Sequence, residues 1–135
     1  MDPRWRPAIA FVVDLLLVGL FALIGRASHR EDESAVVLTA LPFAVGLAAG
    51  WAAARGWRHP FAIVRTGVPA WLGAVVIGML LRALTGAGVQ VAFVVVAAIV
   101  LAAFLLGWRF LLVAVDRSAT RTETTGPLGR ILGRR

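Results

Sequence analysis

The sequence contains no cysteine, lysine, asparagine or tyrosine, and all 14 of its basic residues are arginine. The lack of cysteine excludes disulfides, thiolate metal ligands and cysteine nucleophiles. Only 7 residues are acidic, so the net charge is +7. A basic chain can indicate a nucleic-acid partner. Here the arginines lie between and after long apolar runs, which indicates a membrane protein and no nucleic-acid partner.

Apolar residues make up 60% of the chain, and the mean hydropathy is +0.87. A helix that crosses a bilayer needs about 20 mainly apolar residues. Four stretches qualify, and they are residues 7–25, 35–54, 68–84 and 89–115. Because a backbone in lipid must satisfy its own hydrogen bonds, these stretches are predicted helices. The sequence predicts an all-α fold, a bundle of four transmembrane helices over residues 1–115 that has the lipid bilayer as its partner.

The two ends of the chain differ in character: the amino end leads into an apolar run, and the carboxyl end is polar and basic. Arg4 and Arg6 precede the first apolar run, and Gly25-Arg26-Ala27 is similar to the cleavage site of a signal peptide. The run is longer than the core of a typical signal peptide and carries Asp14, so we interpret it as an uncleaved first span. At the other end, residues 116–135 are polar and basic, which predicts a cytoplasmic tail that is disordered or lies on the membrane surface.

The arginines predict the orientation of the bundle. Ten of them lie in the amino end, the second loop and the tail, against two, Arg26 and Arg30, in the first and third loops. By the positive-inside rule, both termini are predicted to be cytoplasmic, in a multi-pass protein of the cell membrane. The five tryptophans are consistent with an aromatic belt at the inner interface: Trp5, Trp51, Trp57, Trp71 and Trp108.

Three charged residues, Asp14, Arg82 and Arg109, lie inside the apolar runs. A charge near the bilayer centre costs about 2.5–3.5 kcal/mol, so each should face the bundle or a wet cavity. Asp14 and Arg109 have the same predicted depth, roughly 9 Å inside the inner boundary, so they are expected to form an ion pair between the first and fourth helices. Such a pair either fixes the register of the helices or forms a proton or ion site in which the arginine gates the carboxylate.

Small residues recur at helical spacing in the second and third spans. Stripes of this kind allow membrane helices to approach each other closely. The predicted packing residues are Gly46, Gly50 and Ala54 in the second span and Ala70, Ala74 and Gly78 in the third.

A second polar group is predicted at the outer end of the bundle, and its members are Arg26, Ser28, His29, Thr39, Arg82 and Gln90. These residues could form a vestibule for an anionic group. The alternative is that they only cap helices and reach the interface with long side chains. His29 has no second histidine at a metal-binding spacing, so no metal site is predicted.

The sequence has no nucleophile motif, phosphate-binding glycine loop or dinucleotide fingerprint, so neither catalytic residues nor a cofactor are predicted. The first hypothesis for function is transport or permeation of a small anion or a proton-coupled solute. The second is a non-catalytic structural or accessory subunit, in a homo-oligomer or a larger membrane complex. An intramembrane enzyme acting on lipid or quinone would need a nucleophile or a metal cluster.

Several short motifs are together similar to a known family. They are Asp14 in the first span, Gly25-Arg26-x-Ser28-His29, Pro42-Phe43, Gly78-x-x-x-Arg82 and Gly107-Trp108-Arg109. Over residues 7–112 the chain resembles a domain-of-unknown-function family of small four-helix membrane proteins from high-GC bacteria and salt-loving archaea. The resemblance implies the four-helix architecture. It implies no activity, because the family has none established.

Overall fold

A computed structural model of the protein describes residues 2–27, 34–86 and 89–125, and in this part of the chain the secondary structure is entirely helical. Each of four helices contains a stretch that is long and apolar enough to cross a membrane, which confirms the predicted all-α fold with four such helices. The helices are α1 (Arg6–Ala27), α2 (Ser34–Ala54), α3 (Ile63–Leu84) and α4 (Val91–Thr125).

The four helices form a ring in chain order. Helix α1 packs against α2 and α4, and α3 packs against the same two neighbours from the other side. Successive helices run in opposite directions, so the start of α1, the end of α2, the start of α3 and the second half of α4 lie together. We call this the arginine-rich end, because it carries Arg4, Arg6, Arg55, Arg58, Arg65 and Arg117.

Helix α3 begins at Ile63, five residues before the predicted start at residue 68. It contains two π-helical segments, Ile63–Gly67 and Gly73–Ile77, which alternate with α-helical turns. Pro69 favours a helix that begins near residue 68, because proline cannot donate a backbone hydrogen bond and its ring clashes with the carbonyl four residues earlier. The wider π turn directly before it changes the hydrogen-bond register. The helix therefore starts upstream of the proline, and the second loop shortens to residues 55–62.

Helix α4 continues to Thr125, ten residues beyond the predicted end of the fourth span. The first half of the predicted tail thus continues the helix. Once a helix is nucleated, each further residue adds one hydrogen bond, so a polar sequence can prolong it. In the sequence, Thr125 is followed by Gly126 and Pro127.

Helices α2 and α3 approach each other so closely that their backbones touch. A Cβ atom added at Gly46 would overlap the backbone of Gly73, and one added at Gly50 would overlap the backbone of Pro69. A Cβ atom at Gly78 would lie 2.7 Å from a ring carbon of Phe43. Glycine at these positions is what permits the contact.

The other predicted packing residues occupy the same region. Ala70 and Ala74 are completely buried, and Ala74 lies against Gly46. Ala54, at the end of α2, is half-buried. The small-residue stripes of α2 and α3 therefore pack against each other within the chain, so they are not free surfaces for a partner.

The exterior of the bundle is apolar on all four helices. Examples are Leu16 at 67% exposure, Val37 at 62%, Val76 at 60% and Ile99 at 64%. A water-soluble protein rarely exposes apolar side chains so densely. This distribution is typical of a membrane protein.

Candidate functional site

The centre of the candidate site is an ion pair between α1 and α4. Nη1 of Arg109 donates to Oδ1 of Asp14 at 2.9 Å, and Nη2 donates to Oδ2 at 2.7 Å. Both side chains have 0% exposure to solvent. The structure thus brings together the two residues that sequence reasoning paired, in the two-pronged geometry that gives the strongest arginine–carboxylate contacts.

Two tryptophans complete the surroundings of the carboxylate. The indole Nε1 of Trp51 donates to Oδ2 of Asp14 at 2.8 Å, and that of Trp108 donates to Oδ1 at 2.8 Å. A carboxylate has about four acceptor sites, two on each oxygen. With two donors from Arg109 and one from each tryptophan, all of these sites on Asp14 are filled.

Arg109 also binds two backbone carbonyls. Its Nη1 donates to the carbonyl of Leu105 at 2.7 Å, and its Nε donates to that of Pro60 at 3.2 Å. The guanidinium carbon lies 4.7 Å from the centre of the Trp108 ring. We call Asp14, Trp51, Trp108 and Arg109, together with these two carbonyls, the buried network. Its hydrogen bonds connect α1, α2, α4 and the second loop.

The conformation of the second loop places the carbonyl of Pro60 beside Arg109. The backbone N–H of Gly56 donates to the carbonyl of Trp51 at 2.9 Å, and a Cβ atom at Gly56 would overlap the Trp51 indole. Arg55 before it has a φ of 52°, the left-handed conformation that reverses a chain after a helix. The hydroxyl of Thr66 donates to the carbonyl of His59 at 2.5 Å, which fixes the other end of the loop beside Pro60.

The geometry limits what the buried network can do chemically. A proton or solute that reaches Asp14 must first displace one of four donors, and no solvent contacts the carboxylate. A fully satisfied polar network in a low-dielectric interior is rigid, because losing any member leaves another buried group unpaired. The arrangement is therefore suited to fixing helix register.

Sequence reasoning missed the tryptophan donors and interpreted all five tryptophans as an interfacial belt. Trp51 and Trp108 instead bind Asp14, and the indole of Trp71 donates to the carbonyl of Ala98 at 2.9 Å, which joins α3 to α4. Trp5 and Trp57 are the exposed ones, at 63% and 53%. One signal was available: a single arginine cannot fill every acceptor site of a buried aspartate, so further donors at the same depth were required.

The predicted outer cluster falls partly outside the described residues. Ser28 and His29 lie outside the described residues, and the side chain of Arg26 is not described. Thr39 is 8% exposed within α2, and Gln90 is exposed directly before α4. The three described side chains, Thr39, Arg82 and Gln90, occupy different environments, and the outer vestibule stays a prediction.

Three phenylalanines fill the half of the bundle opposite the arginine-rich end. The Phe21 and Phe43 rings meet edge to face with centroids 5.3 Å apart, and Phe93 lies 6.2 Å from Phe43. The guanidinium of Arg82 lies over the Phe93 ring, with its carbon 4.6 Å from the centroid. Arg82 thus packs on the aromatic cluster through the ring of Phe93.

The fold and the site together define a class of protein: a four-helix bundle with an apolar exterior and a saturated ion pair inside. The chain belongs to the DUF3054 family, described as a protein of unknown function, whose sequence pattern matches residues 11–112. The predicted resemblance to a family of unknown function is confirmed. No curated protein and no solved structure matches the chain.

Proposed function

We propose that this chain is a cell-membrane protein with four spans and cytoplasmic termini, and that it acts as a non-catalytic structural or accessory subunit. The observation that carries the proposal is the buried network, in which the Asp14 carboxylate is saturated with donors and has no contact with solvent. Such a network holds helices in register but offers no vacant ligand position.

The distribution of polarity supports the membrane location. Large apolar side chains cover the outside of each helix, whereas the charged pair is completely buried. Charged residues within membrane spans face the bundle interior and pair with one another.

The described arginines support the proposed orientation. Six of them lie at the arginine-rich end, where the amino terminus and the second loop meet the extension of α4. Cytoplasmic segments carry an excess of arginine and lysine, so this end faces the cytoplasm.

Transport of a small anion is the second candidate, and one feature favours it. A cleft of about 480 Å³ opens between α2 and α3 beside Arg82, which could attract an anion. The other residues that line it are mainly apolar, among them Leu38, Leu41 and Val45. Arg82 packs on Phe93, and Phe21 lies about 10 Å from Asp14 along α1, so a permeation path through one bundle would have to pass these rings.

Cross-linking tests the accessory role, and the absence of cysteine makes single-cysteine variants straightforward. Leu16→Cys, Val76→Cys and Ile99→Cys would each present a thiol on the apolar exterior, and Leu47→Cys is a matched buried control. In native membranes with a short thiol-reactive photo-cross-linker, we expect one face to link to one protein, or to a second copy, at a constant ratio. Absence of any link from the three faces would contradict the accessory role.

Reconstitution tests the transport candidate separately. Purified protein in liposomes that contain a pH-sensitive dye should give no proton flux on addition of chloride, acetate or phosphate. An anion-dependent flux that disappears in folded Asp14→Asn protein would favour transport over the structural role.

A further inference from the structure

A groove runs between α1 and α4 at the arginine-rich end of the bundle. Its volume is about 640 Å³, and the residues that line it include Ile9 and Val13 of α1 and Leu112 of α4. From Arg6 to Val13 it follows α1 for about 10 Å. Ligand sites in proteins typically measure about 300–1,000 Å³, so the groove is large enough for part of a hydrocarbon chain.

A second cavity, of about 380 Å³, lies next to the groove and has a different chemical character. Its lining includes Arg6 at the start of α1 and Arg58 and His59 of the second loop. Nη1 of Arg65 lies 3.2 Å from Nε2 of His59. Since arginine has no acceptor, Nε2 must accept this bond, and a neutral His59 ring then carries its proton on Nδ1. The cavity thus combines two guanidinium groups with the imidazole ring of His59.

The two cavities meet at Arg6 and Phe61, which line both of them. The guanidinium carbon of Arg6 lies 5.0 Å from the centre of the Phe61 ring, a cation–π contact that holds the arginine at the junction. Asp116 is the one acidic residue among those that line either cavity, so the arginines leave the combined site positive. A cationic chamber therefore opens directly into an apolar groove.

We propose that this pair of cavities binds one anionic phospholipid. The headgroup phosphate lies at Arg6 and Arg58, and one acyl chain lies along the groove between α1 and α4. The inference rests on the proposed membrane location, which puts the arginine-rich end at the cytoplasmic leaflet. Arginine favours phosphate because its planar group of N–H donors matches the phosphate oxygens. The apolar side chains of Ile9, Val13 and Leu112 offer the acyl chain van der Waals contacts along the groove.

The test uses the full chain purified in a mild detergent, with lipid retention measured by native mass spectrometry. Dioleoyl phosphatidylglycerol should be retained roughly tenfold more than dioleoyl phosphatidylcholine and should saturate at one lipid per chain. The double variant Arg6→Gln/Arg58→Gln should lose this preference. Arg55→Gln/Arg117→Gln removes the same charge from exposed residues that line neither cavity, and should retain it.

Two groove variants test the acyl-chain part of the site. Val13→Trp and Leu112→Trp each fill the groove from one wall, and either should reduce phosphatidylglycerol retention several-fold in protein whose helical circular dichroism is unchanged. Unchanged retention in both folded variants would overturn the assignment of the groove.

Three other outcomes would overturn the proposal. Equal retention of the two lipids would show that the headgroup is not recognised, and equal loss in the control double variant would show attraction to net charge alone. Displacement of the lipid by inorganic phosphate at the same concentration would identify a free-anion site. Because the measurement is made in detergent, a negative result would not bear on the membrane location or on the accessory role, which have separate tests.

Discussion

At the scale of single residues, Asp14 and Arg109 show how a charged pair is tolerated in an apolar bundle. Each charge is surrounded by opposite charge or by aligned dipoles: two indoles at the carboxylate and two carbonyls at the guanidinium. Removing one partner of a buried pair typically costs roughly 3–5 kcal/mol, because the other charge is left uncompensated.

We expect Arg109→Ala to destabilise the protein more than Asp14→Asn. The alanine variant loses all four hydrogen bonds of the guanidinium and leaves a cavity at a completely buried position, so a loss of roughly 3–5 kcal/mol is expected. The asparagine variant also leaves Arg109 without its counter-charge, but it keeps the shape of the side chain and one acceptor oxygen, and Arg109 retains the carbonyls of Pro60 and Leu105. Thermal unfolding in one detergent measures both variants. A lower melting temperature for Asp14→Asn would contradict the expected order.

The tryptophans allow a graded test of the buried network. Trp51→Phe removes a hydrogen bond to a charged group, which is worth about 1.5–3 kcal/mol, whereas Trp71→Phe removes one to a neutral carbonyl, worth about 0.5–1.5 kcal/mol. Trp57→Phe changes an exposed ring and should have no measurable effect. The expected order of destabilisation in detergent melting is therefore Trp51, Trp71, Trp57.

A double-mutant cycle adds a second criterion for Trp51. If its indole acts through Asp14, Trp51→Phe should cost much less in the Asp14→Asn background than in the wild type. Additive effects of the two substitutions would mean that the indole contributes by packing alone.

At the scale of elements, the sequence predicted the existence of each helix better than its ends. Apolar runs identified all four long helices, since hydropathy and length are sufficient for that. The start of α3 was missed because Pro69 is a typical first residue of a helix, whereas a π turn at Ile63–Gly67 precedes it in the structure. The end of α4 was missed because hydropathy predicts only where the apolar run ends, and a helix can continue into the polar sequence that follows.

The contact between α2 and α3 makes a prediction about glycine. Gly46→Ala and Gly50→Ala would each place a methyl group into the backbone of α3, so both should destabilise strongly, by roughly 1–3 kcal/mol or more. Gly19→Ala and Gly107→Ala are matched controls in α1 and α4, where nothing lies within 4 Å of the added Cβ. There alanine should be neutral or stabilise by up to roughly 1 kcal/mol, because it favours the helix. Equal effects in the two sets, measured by detergent unfolding, would contradict the close contact.

At the scale of the whole molecule, the candidate site was only partly predictable. The Asp14–Arg109 pairing followed from depth, because two lone charges at one level of a small bundle have few other partners. The roles of Trp51 and Trp108 did not follow. An amphipathic ring near the end of a span suits the interface as well as the interior, and hydropathy does not distinguish the two. The ring order of the helices also required the structure.

The last prediction concerns the orientation of the whole molecule. A reporter enzyme that is active only outside the cytoplasm, fused after Arg135, should give no signal, because ten arginines in the amino end, the second loop and the tail hold those segments inside. The same reporter fused after Arg30 follows a single span and should be active, which controls for expression and folding of the fusion. Reversing charge tests the cause: replacing Arg4 and Arg6 by glutamate should increase the fraction of the Arg30 fusion that is inverted and silent. Activity of the Arg135 fusion in the wild-type chain would contradict the cytoplasmic position of the carboxyl terminus.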